Sequence, residues 1–319
     1  MTTTTALREL IASYNELNPP QVEELHEEPS PLEFMRYVAR NAPFVVRGGA
    51  RGWEAYKRWD REFLAEAMRG MRVNVAVTPR GNADAPTRTA DGDLVLAKPH
   101  EEERDFEEFL DYVISQEKNP SSKGEIRYAQ TQNDNLRDEY SPLAPHLPAS
   151  PPFAHIALDR APDALNLWIG NSRSVTALHR DNYENIYVQV RGRKHFVLLP
   201  ALCAPVVQEA VLPPARYNRR PREGPESAEG GAGLVLETEE GEGSPFPTWD
   251  PDGVSVGGRE GGDGEGEEVK GGEFEDVVQP LRVTLDPGDM LYLPAMWYHK
   301  VAQSCRDDDE GFVLAVNYW

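Results

Sequence analysis

The stretch Thr176–Phe196, "TALHRDNYENIYVQVRGRKHF", places a histidine and an aspartate two residues apart beside a strand-like run. "ALNLWIG" (164–170) leads into it, and "NIYVQV" (185–190) and "KHFVLLP" (194–200) follow. Alternate side chains of an extended segment point to one face, so His179 and Asp181 can reach a single ion. "RGR" (191–193) fits a tight hairpin between the last two runs.

The same pattern of short strands continues to the end of the chain. "EIRYAQTQ" begins it at residue 125, and "RVTLDPGDMLYLP" and "GFVLAVNYW" end it. Many short strands bounded by turn residues predict an antiparallel barrel or sandwich. In "DPGDMLYLP" the turn chemistry is that of a corner, because Pro287 presets φ and Gly288 supplies a positive φ.

The first third of the chain mixes helices with short strands. "SPLEFMRYVARNA" opens with a capping box from Ser30 to Glu33 and has Pro31 at the first helical position. We therefore predict a mostly β protein with helices (α+β). Residues 1–124 form a helical and strand lead-in that packs on a barrel of residues 125–319.

The acidic charge is concentrated in one part of the chain. The net charge is −21, but residues 221–280 hold 17 Asp and Glu against 3 Lys and Arg, together with 15 of the 26 glycines. Such a composition buries too little apolar area to offset ordering entropy, so a flexible acidic insert is expected around 253–273. The negative charge argues against nucleic-acid binding.

The two cysteines and the pattern of apolar residues indicate the cellular compartment in which the protein works. Cys203 and Cys305 cannot form a disulfide framework, which favours a reducing compartment, the cytoplasm, the nucleus or both. No apolar run approaches membrane-spanning length, and the N-terminus has no apolar core of a signal peptide, so no membrane partner is expected.

A metal site at His179 and Asp181 needs a third ligand from another strand. His299, in "YLPAMWYHKVAQS", lies among strand formers, although alone it also fits an ordinary strand histidine. Two imidazoles and one carboxylate form a facial set that suits Fe(II) and leaves positions open. His26 and His100 also precede glutamates, but both lie in charged stretches that are expected to be exposed and to lack a strand framework.

Three segments together resemble the Jumonji-C (JmjC) family. They are "TALHRDNYENIYVQVRGRKHFVLLP", "DPGDMLYLPAMWYHKV" and "AVNYW". The resemblance implies a double-stranded β-helix of the cupin or jelly-roll type and an oxygenase that uses Fe(II), 2-oxoglutarate and O2. The positions that match the family are Thr176, His179, Asp181, Asn185, Lys194, His299 and Asn317.

The resemblance also implies roles for individual residues. His179, Asp181 and His299 would be the metal ligands and the catalytic set, and Lys194 would hold the distal carboxylate of 2-oxoglutarate. A buried carboxylate needs a cation and hydroxyl donors, which fits Lys194 with Thr176 and Tyr128. An exposed hairpin lysine and core aromatic residues are the plain alternatives. Further residues implied to bind the cosubstrate or line the pocket are Asn185, Tyr187, Asn317, Trp168 and Gln130.

Within the family, the chain is most similar to the (3S)-lysyl hydroxylases. "VNVAVTPRGNADA" and "IRYAQTQNDNL" carry this likeness, which covers about residues 30–220 and 275–319. It implies a protein substrate, namely a lysine in a GTPase of the translation-factor-related class; a disputed histone-tail peptidase activity is also ascribed to this branch. Family members continue past the equivalent of Trp319 into helices that help them dimerise, so a homodimer remains an open expectation.

Other functions share the same residues. Demethylation of methyl-lysine would use the same iron set, a zinc peptidase would use the same three ligands, and a non-catalytic cupin-type binding module would use the same fold. The sequence does not name the substrate protein or its acceptor residue.

Overall fold

The chain is helical at its start and mostly β afterwards. The computed structural model describes residues 3–132, 134–221, 232–252, 274 and 276–319, and the acidic insert predicted around 253–273 lies outside them. No helix in these ranges is long and apolar enough to cross a bilayer. The α-helices are α1 (Thr3–Leu17), α2 (Pro31–Arg40), α3 (Glu54–Arg58), α4 (Arg61–Ala67), α5 (Phe106–Lys118) and α6 (Pro152–Leu158), and 3₁₀ turns lie at Ala144–His146 and Ala201–Cys203.

The described strands form a lead-in group, whose first two strands join a barrel sheet, and a second group that includes the other barrel strands. The lead-in group is β1 (Glu23–Leu25), β2 (Phe44–Val46), β3 (Arg72–Thr78), β4 (Ala85–Arg88), β5 (Leu94–Lys98), β6 (His100–Asp105) and β7 (Ile126–Tyr128). The others are β8 (Leu165–Gly170), β9 (Thr176–Arg180), β10 (Asn185–Arg191), β11 (Arg193–Leu199), β12 (Ala210–Leu212), β13 (Pro214–Pro221), β14 (Ala232–Thr238), β15 (Ser244–Phe246), β16 (Leu281–Leu285), β17 (Met290–Leu293), β18 (Tyr298–Ser304) and β19 (Val313–Tyr318).

Two facing sheets make the barrel. The large sheet has the order β1-β2-β17-β10-β19-β8, and the small sheet has the order β16-β11-β18-β9. Apolar side chains from both sheets form one buried cluster, in which the rings of Tyr187 and Phe196 lie 5.2 Å apart. Strands β8 to β11 and β16 to β19 alternate between the sheets, and the predicted double-stranded β-helix is confirmed.

The prediction of a hairpin at "RGR" was wrong. β10 pairs with β17 and β19, whereas β11 pairs with β16 and β18, so the two strands lie in different sheets. Gly192 adopts a φ of +60° at the corner, where an added Cβ would lie 2.8 Å from Val313. A single residue in the left-handed region turns the chain from one sheet into the other.

Helices α2 to α6 cover the outer face of the large sheet, whereas Ile11 of α1 packs with Leu178 and Tyr298 of the small sheet. α2 begins with the predicted capping box, in which Ser30 and Glu33 exchange hydrogen bonds. The predicted amphipathic helix α5 buries Phe106, Phe109, Leu110 and Val113 in the main apolar cluster. This layer fixes the large sheet from behind and leaves its other face for the barrel interior.

The charged segment at His100 forms a strand, so the expectation that it lacked a strand framework was wrong. β6 pairs with β3, which also pairs with β7. Ion pairs offset the repulsion in this acidic strand: Glu102 lies 2.9 Å from Arg104 and 3.2 Å from Arg219. The pairing of β7 with β3 brings Tyr128 from the lead-in side to the barrel.

Candidate active site

Two histidines on neighbouring strands of the small sheet face an aspartate. His179 on β9 is the cross-strand partner of His299 on β18, and the centroids of their rings lie 4.1 Å apart. Asp181 follows β9, and its carbonyl accepts a hydrogen bond from the backbone N–H of Met296. Carboxylate oxygens of Asp181 lie 3.9 Å from His179 Nε2 and 3.6 Å from His299 Nε2.

Backbone carbonyls orient both rings. His179 Nδ1 lies 2.9 Å from the carbonyl oxygen of Ala177, and His299 Nδ1 lies 3.1 Å from that of Trp297. A carbonyl only accepts, so Nδ1 carries the proton in the neutral tautomer of each ring, and that tautomer has its lone pair on Nε2. The same support orients metal-binding histidines in general.

The three side chains fit a divalent metal ion. One ligand atom from each of His179, Asp181 and His299 can be chosen so that all lie within 4.8 Å of one another, and no other such group occurs in the described ranges. Burial lowers the pKa of His299 to about 4, which keeps the imidazole neutral, as a metal ligand must be. His299 is buried, whereas His179 and Asp181 are half-buried, so the site opens to solvent on their side.

A buried lysine lies deeper along the small sheet. Lys194 on β11 is four residues before Leu198, the cross-strand partner of His299, which corresponds to about 13 Å of strand. Lys194 is buried and is not the exposed hairpin lysine that the sequence left as an alternative. Its Nζ donates to the hydroxyl oxygen of Tyr128 at 2.7 Å and lies 5.5 Å from the centroid of the Tyr187 ring.

The surroundings of Lys194 fit an incoming carboxylate. Among the described residues no Asp or Glu oxygen lies within 4 Å of its ammonium, and burial lowers its pKa to about 7. Burial also raises the pKa of Tyr128, so its hydroxyl keeps a proton. Because this oxygen already accepts from Lys194, its proton remains free to donate. An unpaired cation beside a free hydroxyl donor suits the distal carboxylate of 2-oxoglutarate.

Sequence reasoning missed a further hydroxyl near Lys194, that of Ser174. Ser174, Thr176, Tyr128 and Gln130 line one narrow cavity. The Ser174 hydroxyl is buried and has no hydrogen-bond partner among the described residues, while its carbonyl accepts from Gln303, the cross-strand partner of Lys194. The only signal in the sequence was its position two residues before Thr176, on the same side of an extended segment.

The large sheet supplies the opposite wall through one hydrogen-bonded chain. Trp168 Nε1 donates to Asn317 Oδ1 at 2.9 Å, and Asn317 Nδ2 donates to Asn185 Oδ1 at 3.1 Å. These three residues and Tyr187 lie on the strands that face the small sheet. These two hydrogen bonds fix the side chains of Trp168, Asn317 and Asn185 before any ligand binds.

Gln130 is directed differently from the other predicted pocket residues. Its Nε2 donates to Asp84 Oδ2 at 2.8 Å, and no hydrogen bond joins it to Lys194. Asp84 precedes β4, and β4 contacts β9, the strand that carries His179. Sequence reasoning missed Asp84 because "NADA" between two strands is ordinary turn chemistry.

Comparisons with known proteins agree with this geometry. The family model for a cupin-like domain matches residues 29–319. An Arabidopsis thaliana protein named lysine-specific demethylase JMJ32 is 34% identical over 310 residues, which cover 94% of this chain and 81% of that protein. The human protein named bifunctional peptidase and (3S)-lysyl hydroxylase JMJD7 is 33% identical over 315 residues, covering 98% of this chain and 88% of the human protein.

A third relative extends the range of organisms. JmjC domain-containing protein E of Dictyostelium discoideum is 31% identical over 302 residues, which cover 92% of this chain and 82% of that protein. The three alignments and the family match each span nearly the whole chain. The chain therefore belongs to the cupin-like JmjC family, whose members use Fe(II) and 2-oxoglutarate.

Proposed function

We propose that this protein is a Fe(II)- and 2-oxoglutarate-dependent protein hydroxylase that acts on a lysine side chain. The observation that supports it most is the pairing of a solvent-accessible His179–Asp181–His299 triad with an unpaired, buried Lys194. When bound, iron and 2-oxoglutarate supply the oxidising chemistry, in which O2 hydroxylates a C–H bond and succinate and CO2 are released.

The side chains of the barrel have separate tasks in this proposal. His179, Asp181 and His299 hold the metal, and the hydrogen bonds of the two Nδ1 atoms keep both Nε2 atoms aimed at it. Lys194 and Tyr128 bind the distal carboxylate of 2-oxoglutarate, with Thr176 and Ser174 beside them. The cosubstrate is thereby oriented with its 2-oxo end toward the triad.

The opposite wall has the task of excluding water. Trp168, Asn317 and Asn185 are joined by hydrogen bonds, and Tyr187 is the cross-strand partner of Asn317. These bonds leave fewer polar groups free to bind water beside the reacting groups.

Support for a lysine substrate comes from the relatives. The human relative carries (3S)-lysyl hydroxylase in its name, and the plant relative carries lysine-specific demethylase. Both names point to lysine. By the family resemblance we propose a GTPase of the translation-factor-related class as the protein substrate.

Demethylation is the second candidate, and the plant relative's name favours it. The same ligand set serves both reactions, because hydroxylation of an N-methyl group yields an unstable product that releases formaldehyde. The products differ in mass. A hydroxylated lysine gains one oxygen atom, whereas demethylation removes the mass of one CH2 group.

Mass spectrometry tests the proposal directly. Lysine peptides from GTPases of this class, unmodified and methylated, would be incubated with the protein, iron(II), ascorbate and 2-oxoglutarate. We expect a gain of one oxygen on lysine with equimolar succinate, retained by His26→Ala and lost in His179→Ala. Loss of a methyl group, peptide cleavage, or peptide binding without succinate would instead indicate a demethylase, a peptidase or a binding module.

We further propose that the protein works in a reducing compartment, the cytoplasm or the nucleus. Cys203 and Cys305 are both free thiols, which fits such a compartment. Burial raises the pKa of each thiol to about 12, so neither is a reactive thiolate at neutral pH.

A further inference from the structure

Asp84 is an acidic residue at the mouth of the candidate active site to which the proposed chemistry gives no role. It lies in the turn between β3 and β4, with a φ of +51°. Two observations place it near the triad. Its carboxylate accepts from Gln130, which lines the same narrow cavity as Thr176, and β4, which Asp84 precedes, contacts β9, the strand that carries His179.

In the described part of the chain, the carboxylate of Asp84 accepts a hydrogen bond from Gln130 and forms no ion pair within 4 Å with a Lys, Arg or His. Arg216 acts on it from a distance, but Arg216 is held by Glu239 at 2.8 Å and by Glu101 at 3.7 Å. Glu101 adds a like charge.

Water reaches Asp84, but the surrounding protein removes part of the hydration of its carboxylate. This desolvation is the main cause of a raised pKa. A carboxylate in that situation gains from any cation that enters the mouth, because the cation restores the interaction that water no longer provides.

We propose that Asp84 binds the side-chain ammonium of the substrate lysine while an aliphatic carbon of the same side chain lies at the triad. The inference rests on the proposed lysyl hydroxylation and names its specificity residue. Gln130 fixes Oδ2 of Asp84, which leaves Oδ1 free to accept from the ammonium. A lysine ammonium on its flexible four-carbon stem spans the gap between a polar anchor and a reacting carbon.

The proposed contact with Asp84 predicts that the protein prefers a charged substrate side chain over an uncharged one of similar length. Norleucine has the same stem length as lysine but no ammonium, so it would leave Asp84 unpaired. Acetyl-lysine would lose the charge as well. An arginine guanidinium could also pair with a carboxylate, and the test below includes it.

Three pools of synthetic peptides, identical except for a central lysine, norleucine or arginine, provide the test. Each pool would be incubated with the iron-loaded wild type, with Asp84→Asn and with the matched control Asp91→Asn, an exposed aspartate in the turn between β4 and β5. We expect the wild type and Asp91→Asn to prefer lysine over norleucine by about 10- to 100-fold, and Asp84→Asn to lose this preference.

The outcomes separate this inference from the proposed function. If the wild type hydroxylates lysine, but Asp84→Asn retains the preference over norleucine, the role of Asp84 is wrong and the hydroxylase stands. If only the arginine pool reacts, or if no pool reacts, the lysyl hydroxylase itself is wrong. Peptide binding to the Mn(II)-loaded protein without oxygen gives a readout independent of turnover, and Asp84→Asn should weaken binding of the lysine pool but not of the norleucine pool. A melting temperature of Asp84→Asn close to that of the wild type shows that the variant is folded.

Discussion

The ammonium nitrogen of Lys194 lies 2.7 Å from the hydroxyl oxygen of Tyr128, and both side chains are buried in the barrel. Neither residue brings a negative charge. A buried ammonium without a counter-ion opposes folding, and the lowered pKa of Lys194, about 7, expresses this. The barrel therefore holds a cation whose burial only an incoming anion offsets, which links cosubstrate binding to stability.

Lys194→Met should weaken the binding of 2-oxoglutarate by about 10- to 100-fold, because it removes a charge-assisted hydrogen bond. Isothermal titration of the Mn(II)-loaded protein without oxygen measures this, and the KM for 2-oxoglutarate should rise in parallel. Lys123→Met changes the same charge at an exposed position and should have no effect. An unchanged dissociation constant in Lys194→Met would mean that another group holds the carboxylate.

The ligand-free protein should become more stable as the pH rises from about 7 to about 10.5, through Lys194 alone. In that range the unfolded chain binds the lysine proton and the folded chain does not, so raising the pH favours folding. Below about pH 7 the folded chain carries the protonated Lys194, and the full free-energy cost of burying its ammonium lowers the stability. Lys194→Met should lack this component, so its melting temperature should exceed that of the wild type most clearly at neutral pH.

The measurement is a set of thermal melts of the ligand-free wild type and Lys194→Met between pH 6 and pH 10. The melting temperature should shift by about 2–4 °C for each kcal/mol of difference in the free energy of unfolding. Other titrating groups are common to both proteins and cancel in the difference. A difference in melting temperature that is constant over this range would contradict the assigned cause. Saturating 2-oxoglutarate with Mn(II) should stabilise the wild type more than the variant.

Local pattern was enough for much of the site. His179 and Asp181 share a face because of their spacing, and strand formers around His299 predicted a strand there. The capping box at Ser30 predicted the start of α2 because its hydrogen bonds are local. Features that depend on neighbours in sequence could be predicted in this way.

Features that depend on residues far away in the sequence could not be predicted from local pattern. "RGR" has the same local chemistry in a hairpin as in a corner between sheets, and only the long-range pairing of β10 and β11 decides. Asp84 looks like a turn residue until β7 brings Gln130 to it. Charged β6 is stabilised in part by Arg219, far along the chain, whose guanidinium lies 3.2 Å from Glu102.

Divalent metal should stabilise the protein through His299. Mn(II) at about 100 times its dissociation constant should add about 2.7 kcal/mol to the free energy of unfolding, because only the folded chain brings the three ligands together. His299→Ala should abolish this shift in melting temperature. His26→Ala removes a histidine from an exposed His–Glu motif and should keep the shift. A metal-dependent shift that survives in His299→Ala would place the metal elsewhere.

Gly170→Ala should weaken 2-oxoglutarate binding without touching the ligand. A Cβ at Gly170 would lie 2.3 Å and 2.7 Å from two ring carbons of Tyr128, so the ring must shift, which disturbs the hydrogen bond between its hydroxyl and Lys194. We expect about a tenfold weaker dissociation constant for 2-oxoglutarate and a loss of about 1–3 kcal/mol of stability from overpacking.

The control for Gly170 is Gly52→Ala, since a Cβ at Gly52 meets nothing within 4 Å. A double variant that combines Gly170→Ala with Tyr128→Ala distinguishes displacement of the Tyr128 ring from a general disturbance of the fold. When the Tyr128 ring is absent, Gly170→Ala has nothing to displace, so it should weaken 2-oxoglutarate binding no further than Tyr128→Ala alone. Full additivity of the two substitutions would show that Gly170 acts through a different neighbour, such as Gln303, whose Nε2 would lie 3.1 Å from the added Cβ.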